Sequence, residues 1–198
     1  MTWDTVQSIA IGIGLAAACG FRVFLPLLGL SLGAATGHLH LSESFAWLGS
    51  TPATITLGTA AVAEIAAYYV PWLDHALDTL ATPAALVAGV LASGAVAADL
   101  PPFVRWALAV IGGGGAAGLI QGASVLLRAK STALTGGLAN PVVATIEWLG
   151  AAGLAFLAIL VPLFCLALVV GLVWWVARRA GRLLFGRRET APGTVSSS

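Results

Sequence analysis

The stretch WLGAAGLAFLAILVPLFCLALVVGLVWW, residues 148–175, carries no charged side chain and decides the class of fold. The same apolar character extends over nearly the whole chain from Val6 to Ala177. The chain has 198 residues, of which 59% are hydrophobic and 9% are charged, whereas a soluble domain has about a quarter of its residues charged. Because so few charges cannot cover a water-facing surface, we expect lipid to surround most of this chain.

Inside lipid, the backbone polar groups of a spanning segment must be bonded within a helix or a closed barrel. The apolar stretches here are continuous and rich in Ala, Gly and Leu, and they do not alternate in polarity as barrel strands do. At roughly 20 residues per span, the chain is long enough for about five or six helices. The sequence therefore predicts an all-α, polytopic membrane protein with about five spans, and a sixth span is the alternative.

Prolines divide the apolar sequence into segments, since proline suits the first turn of a helix and the chain just beyond its end. Segment one is broken in its middle by Gly20-Phe21-Arg22 and Pro26. The third segment is short for a span, which indicates a thinned bilayer or a position surrounded by protein. The predicted segments cover residues 5–32, 52–72, 83–98, 103–127 and 148–175, with a short amphipathic piece at 73–80.

A weak internal repeat relates the two halves of the chain. Residues 11–17 read IGIGLAA, and residues 111–117 read IGGGGAA. Three spans would separate the two starts, so copies over residues 5–98 and 103–177 would lie in opposite orientations in the membrane. Inverted repeats are typical of transporters. Helices rich in Gly, Ala and Leu also resemble each other by composition alone, and this alternative stays open.

Basic residues are concentrated at the C-terminus. Residues 178–198 form an Arg-rich tail that we expect to be largely disordered and cytoplasmic, because Lys and Arg flank the cytoplasmic ends of spans. Nucleic-acid binding is disfavoured, since the arginines directly follow a span. Residues 1–177 then form one transmembrane domain. Five spans would place the N-terminus and the loop with Arg128 and Lys130 outside, against the charge rule, and a sixth span or a re-entrant segment would reconcile the charges.

Glycines recur at every fourth position in two places and would form flat faces on their helices. Such faces let helix backbones approach closely in lipid, so we expect them to mediate helix packing and self-association into a homo-oligomer. A lining for a solute pathway is the alternative. The two sets are Gly29, Gly33 and Gly37, and Gly114, Gly118 and Gly122.

Arg22 and Glu64 are the strongest candidates for a binding site. Arg22 lies inside segment one beside the helix break, and Glu64 falls near the middle of segment two, with Tyr68 one turn later. Ionisable groups at membrane depth are expensive unless they are paired or hydrated, so they mark function by default. With Gln121 at the middle of segment four, the sequence predicts a substrate-binding site formed by Arg22, Glu64, Gln121 and Tyr68. A snorkelling arginine and a purely structural Arg–Glu pair are the alternatives.

Other polar residues favour simpler interpretations. Asp74, His75 and Asp78 would lie on a solvated amphipathic turn, although a metal or proton-entry site fits the same side chains. Glu147 beside Trp148 is typical of a membrane interface. No Ser/His, paired-Asp or His-rich pattern indicates an enzyme, a metal site or a cofactor, so the sequence predicts none of these.

Three motifs resemble those of one bacterial family. They are GFRVFLPL at residues 20–27, EIAAYYVPWLD at 64–74 and TGGLANPVV at 135–143. In combination they resemble an uncharacterised family of bacterial inner-membrane proteins, domain of unknown function 4126, over nearly the whole chain up to the Arg-rich tail. The resemblance implies a multi-pass protein of the inner membrane and brings no agreed activity.

The function is therefore predicted from the residues. The sequence favours a small inner-membrane transporter or channel-like protein for a small solute or ion, with the lipid bilayer and further copies of itself as partners and with no cofactor. The alternative is a non-transporting membrane protein that organises lipids or partner proteins and uses its polar residues for helix packing.

Overall fold

A computed structural model describes residues 2–67 and 71–185, without the side chains of 71–79, 177, 179, 180 and 182–185. All regular structure in these ranges is helical, which confirms the all-α prediction. The helices are α1 (Trp3–Cys19), α2 (Phe24–Ala35), α3 (Thr51–Ala67), α4 (Pro71–Val96), α5 (Pro102–Leu108), α6 (Gly115–Thr135), α7 (Asn140–Leu160) and α8 (Pro162–Phe185), with a 3₁₀ helix at Glu43–Gly49 and a π-helical segment at Ala109–Gly114 that joins α5 to α6.

Helix α1 is the central helix of the bundle and packs against α4, α7 and α8. Its small residues allow that position. A Cβ added at Gly12 would lie 3.1 Å from the Cα of Ser93 in α4, and one added at Gly14 would lie 2.8 Å from the Cβ of Ala158 in α7. Close backbone approach of this kind is how helices associate where lipid removes the hydrophobic driving force.

The predicted break in the first segment is present, because α1 ends at Cys19 and α2 begins at Phe24. The chain passes close to α6 at this point: a Cβ added at Gly20 would lie 2.5 Å from the carbonyl oxygen of Ala117. Pro26 occupies the first turn of α2, where its missing N–H removes no helical hydrogen bond. Residues 20–23 therefore form a short non-helical connection between two helices.

Two predicted segment boundaries are wrong. Pro83 lies inside α4, so the amphipathic piece and the third segment form one helix. A proline removes one N–H from the helical hydrogen bonds, and helices in membranes tolerate this loss where neighbouring groups compensate for it. The predicted segment at 148–175 consists of two helices, because Pro162 disfavours the helical conformation at Val161, where φ is −135° and ψ is 68°.

Two helices are long and apolar enough to cross a membrane, the continuous helix Pro102–Thr135 and α7. Only 33% and 28% of the residues in their most apolar windows are buried, whereas the core helix of a soluble protein is mostly buried. Shorter apolar helices occur at Trp3–Cys19, Phe24–Ala35, Leu80–Val96 and Pro162–Val176. The helical fold is compatible with a membrane protein, but the predicted count of about five spans is not confirmed.

The predicted glycine faces contact other parts of the same chain at several positions. A Cβ added at Gly118 would lie 2.8 Å from the side chain of Leu86 in α4, and one added at Gly33 would lie 2.7 Å from the side chain of Leu39. Gly122 faces open space instead. Packing within the chain therefore accounts for part of each face, and self-association stays a prediction.

Helix α8 extends into the predicted Arg-rich tail and ends at Phe185. The guanidinium carbon of Arg178 lies 5.1 Å from the ring centroid of Trp174, one turn earlier on the same helix, within range of a cation–π contact. The remainder of the tail, residues 186–198, lies outside the described residues. The inverted repeat and the cytoplasmic side of the tail stay predictions.

Candidate functional site

Arg22 lies at the break between α1 and α2, with only 2% of its surface exposed. Its Nη2 donates to the carbonyl oxygen of Ala144 at 3.0 Å and to Oε2 of Glu147 at 3.1 Å, both in α7. A snorkelling arginine keeps its charged group in water, whereas the guanidinium of Arg22 is enclosed by protein. The geometry therefore disfavours the snorkelling alternative.

Glu147 is the centre of a buried ion cluster. Nε of Arg128 donates to both carboxylate oxygens of Glu147 at 3.1 Å, and Nη2 of Arg128 also donates to Oε2. The hydroxyl of Ser124 donates to Oε1. We refer to Arg22, Ser124, Arg128 and Glu147 as the Glu147 cluster. None of its members is more than 7% exposed, and both arginines make further contacts besides these.

The sequences of α6 and α7 explain why these side chains meet. Ser124 and Arg128 are four residues apart, which places them on one face of α6, with Gln121 one turn earlier. On α7, Glu147 lies between Ala144 and Ala151, both of which are buried. Small residues on either side of Glu147 let α7 approach the bundle closely enough for its carboxylate to reach the arginines.

Glu64 has a different role at the same helix break. Its Oε1 accepts a hydrogen bond from the backbone N–H of Val23 at 3.0 Å, and its Oε2 accepts one from Phe24 at 3.2 Å. Val23 is the N-cap and Phe24 the first residue of α2, so their amide groups lack partners within the helix, and the carboxylate also complements the positive end of the helix. Glu64 therefore holds the backbone next to Arg22, while Glu147 bonds to the Arg22 guanidinium.

The model of one protein family matches residues 9–182, and its description is domain of unknown function (DUF4126). The chain belongs to the DUF4126 family. The resemblance of its three motifs is thereby confirmed, and every residue of the Glu147 cluster falls inside the matched region. No curated protein and no solved structure matches the chain.

The structure brings together only part of the binding site predicted for this DUF4126 chain. Arg22 and Glu64 both lie at the α1–α2 break, where Arg22 bonds to Glu147 and Glu64 bonds to the backbone of Val23 and Phe24. Gln121 is buried on α6, one turn from Ser124, with 6% of its surface exposed. Tyr68 lies outside the described residues, and so do the side chains of residues 74, 75 and 78.

Sequence reasoning missed Glu147, Arg128 and Ser124. Glu147 was expected at an interface, but it is buried inside the bundle with 2% of its surface exposed. The spacing of the small residues in α7 was the available signal, because Ala144, Ala151, Ala155 and Ala158 recur at helical intervals on the same face as Glu147. A carboxylate on the small-residue face of an apolar helix points towards other helices.

The cluster is suited to binding charge. It contains two guanidinium groups and a hydroxyl that converge on one carboxylate, and charge-assisted hydrogen bonds in a low-dielectric interior are strong and directional. Among the described residues, no group of three His, Cys, Asp or Glu side chains is arranged to hold a metal ion.

Proposed function

We propose that this protein is a small multi-pass protein of the bacterial inner membrane that moves a small solute or ion across the bilayer, with the Glu147 cluster as its binding site. The observation that carries the proposal is Arg22, a buried arginine at the break between two helices, bonded to a carboxylate from a third. Discontinuous helices that end beside buried polar groups are how many transporters build solute sites at membrane depth.

The outer surface of the bundle supports a membrane location. Large apolar side chains stand at least half exposed along α5 to α8, and extensive exposed apolar surface is typical of contact with lipid or with another protein. Lipid is the solvent in which such a surface is stable. The residues concerned include Phe103, Ile111, Leu126, Leu134, Val142, Ile146, Leu149, Phe156, Leu160, Phe164, Val170, Trp174 and Trp175.

The described state is closed around the cluster. Arg22 and Glu147 are each 2% exposed, so a solute reaches them only when neighbouring helices move. Transport by alternating access requires closed states of this kind, with helices that shift as rigid bodies around a fixed site. The break at residues 20–23 supplies a point at which α2 can move relative to α1.

The second candidate is a non-transporting membrane protein that organises lipids or partner proteins. The tight enclosure of the Glu147 cluster favours it, because a buried ion cluster can also serve to specify one packing of the helices. In that case the arginines and the carboxylate contact only each other and the surrounding helices, and no solute replaces any of them.

Flux through reconstituted liposomes distinguishes the two candidates. Purified wild type, Glu147→Gln and Glu43→Gln are each reconstituted and screened with radiolabelled ions and small solutes. Glu43 is exposed in the 3₁₀ helix and is the matched control. Transport predicts flux in wild type and in Glu43→Gln, and its loss in Glu147→Gln reconstituted at the same amount of folded protein. Equal flux in all three variants would keep transport and remove the Glu147 cluster as its site. No flux above empty liposomes in wild type would refute transport and favour the structural role.

A further inference from the structure

We infer that the ligand of the Glu147 cluster is a small monovalent anion of the carboxylate type, and that the Glu147 side chain occupies the same place as this anion. The inference rests on the proposed function and names its substrate class. In the described conformation, the carboxylate of Glu147 acts as an anion attached to the protein, and the ligand binds when that carboxylate moves out.

The donors of the cluster decide the sign of the ligand. Arginine has only hydrogen-bond donors, and both Arg22 and Arg128 direct donors at the same carboxylate. The hydroxyl of Ser124 also donates to it. Three side chains from two different parts of the chain therefore form a cage of donors around a space the size of a carboxylate group.

A metal cation does not fit this cage. The Glu147 carboxylate already accepts hydrogen bonds from four N–H or O–H groups of the cluster, with the Nε–H of Arg128 shared between its two oxygens, and a carboxylate offers about four lone-pair positions. A cation would have to approach two guanidinium groups and displace them from Glu147. An anion needs only to take the position of the Glu147 carboxylate and to accept the same hydrogen bonds.

Competition with an attached carboxylate sets the affinity. Glu147 is present at a high effective concentration because it is part of the chain, so a free anion binds weakly to the wild type. Weak binding suits a transport site, where a ligand must leave as readily as it enters. Removal of the carboxylate should strengthen anion binding by about tenfold or more, because the competitor is lost while the donors remain.

The first experiment measures binding of formate, which has the carboxylate group and little else. The melting temperature in detergent is recorded for Glu147→Ala and for the control Glu43→Ala, in sodium formate and in sodium gluconate at equal ionic strength. We expect a saturable rise of about 5 °C or more for Glu147→Ala in formate alone. The control should show no such rise, and Glu147→Ala/Arg128→Met should lose it.

A formate effect that is absent from Glu147→Ala, or equal in Glu43→Ala, would overturn the inference. If Glu147→Ala yields no folded protein in gluconate, its yield is compared after purification in formate. Recovery in formate supports the anion site, and failure in both salts counts against it. Equilibrium dialysis with radiolabelled formate then compares Glu147→Ala with the wild type, and the inference requires at least about tenfold tighter binding by the variant.

Tracer flux separates this inference from the proposed function. Wild-type proteoliposomes are assayed for counterflow of radiolabelled formate and for uptake of radiolabelled rubidium. Formate counterflow without rubidium uptake supports both the anion site and transport. Rubidium uptake without formate binding to Glu147→Ala would keep transport and overturn the anion site. Formate binding to Glu147→Ala without flux of any tracer would keep the anion site and refute transport.

Discussion

Glu147→Gln removes the charge at the centre of the cluster while it keeps the volume of the side chain. A buried ion that loses its counter-charge typically destabilises a protein by about 3–5 kcal/mol, and here two guanidinium groups lose the same partner. Arg22→Met should cost less, about 2–3 kcal/mol, because Arg128 and Ser124 still donate to Glu147. The ranking of the two variants follows directly from the contacts.

A double-mutant cycle tests the contact itself. Arg22→Met/Glu147→Gln should recover about 1–3 kcal/mol relative to the sum of the single losses, because Arg22 is then no longer buried without its counter-charge. The free energy of unfolding is measured by titration with sodium dodecyl sulfate in mixed micelles, followed by tryptophan fluorescence. Arg22→Met/Glu43→Gln is the control and should be additive within about 0.5 kcal/mol, since Glu43 is exposed. Strict additivity of Arg22→Met with Glu147→Gln would show that these two side chains do not interact.

Four further predictions concern other parts of the chain. Glu64→Ala should lower the free energy of unfolding by about 1 kcal/mol, because the amides of Val23 and Phe24 lose their acceptor. Glu64→Gln should lower it less, and equal melting temperatures for the two variants would contradict the capping role. Gly89→Ala should lower the free energy of unfolding by about 1–3 kcal/mol, because its Cβ would lie 2.5 Å from the Cβ of Ala117. Gly122 faces open space, so Gly122→Ala should melt no lower than wild type. If the open position on α6 mediates self-association, Gly122→Leu should reduce the oligomer in light scattering without loss of monomer stability; an unchanged mass would exclude that face. A cytoplasmic-only reporter fused after Ser198 should be active and a periplasmic-only reporter inactive, and the reverse pattern would place the tail outside.

The helix break could be predicted from the sequence because its cause is local. Gly20 and Pro26 each act on the backbone of their own turn, so the seven residues 20–26 contain the signal. The structure adds why glycine is needed at residue 20, which is the approach of Ala117 from α6. That contact joins parts of the chain nearly a hundred residues apart, and hydropathy carries no information about it.

Glu147 could not be assigned from hydropathy because one charged residue beside a tryptophan fits an interface equally well. Its burial depends on which face of α7 turns inward, and the small residues at 144, 151, 155 and 158 mark that face. Arg128 was misplaced for a related reason. The predicted fourth segment ended at residue 127, whereas α6 continues to Thr135 and carries Arg128 inside the bundle.

Two carboxylates from different helices act on adjacent residues of the break, and this couples the cluster to α2. Glu147 in α7 bonds to the side chain of Arg22, while Glu64 in α3 bonds to the backbone of Val23 and Phe24. If α2 moves away from α7, either the Arg22–Glu147 bond or the Glu64 cap must break, since three residues of chain are too short to absorb a large displacement. A ligand that replaces the Glu147 carboxylate removes the first of these restraints and leaves the second intact. Binding would therefore favour a movement of α2 together with α3 against α7, which is the kind of rigid-body shift that opens a closed site.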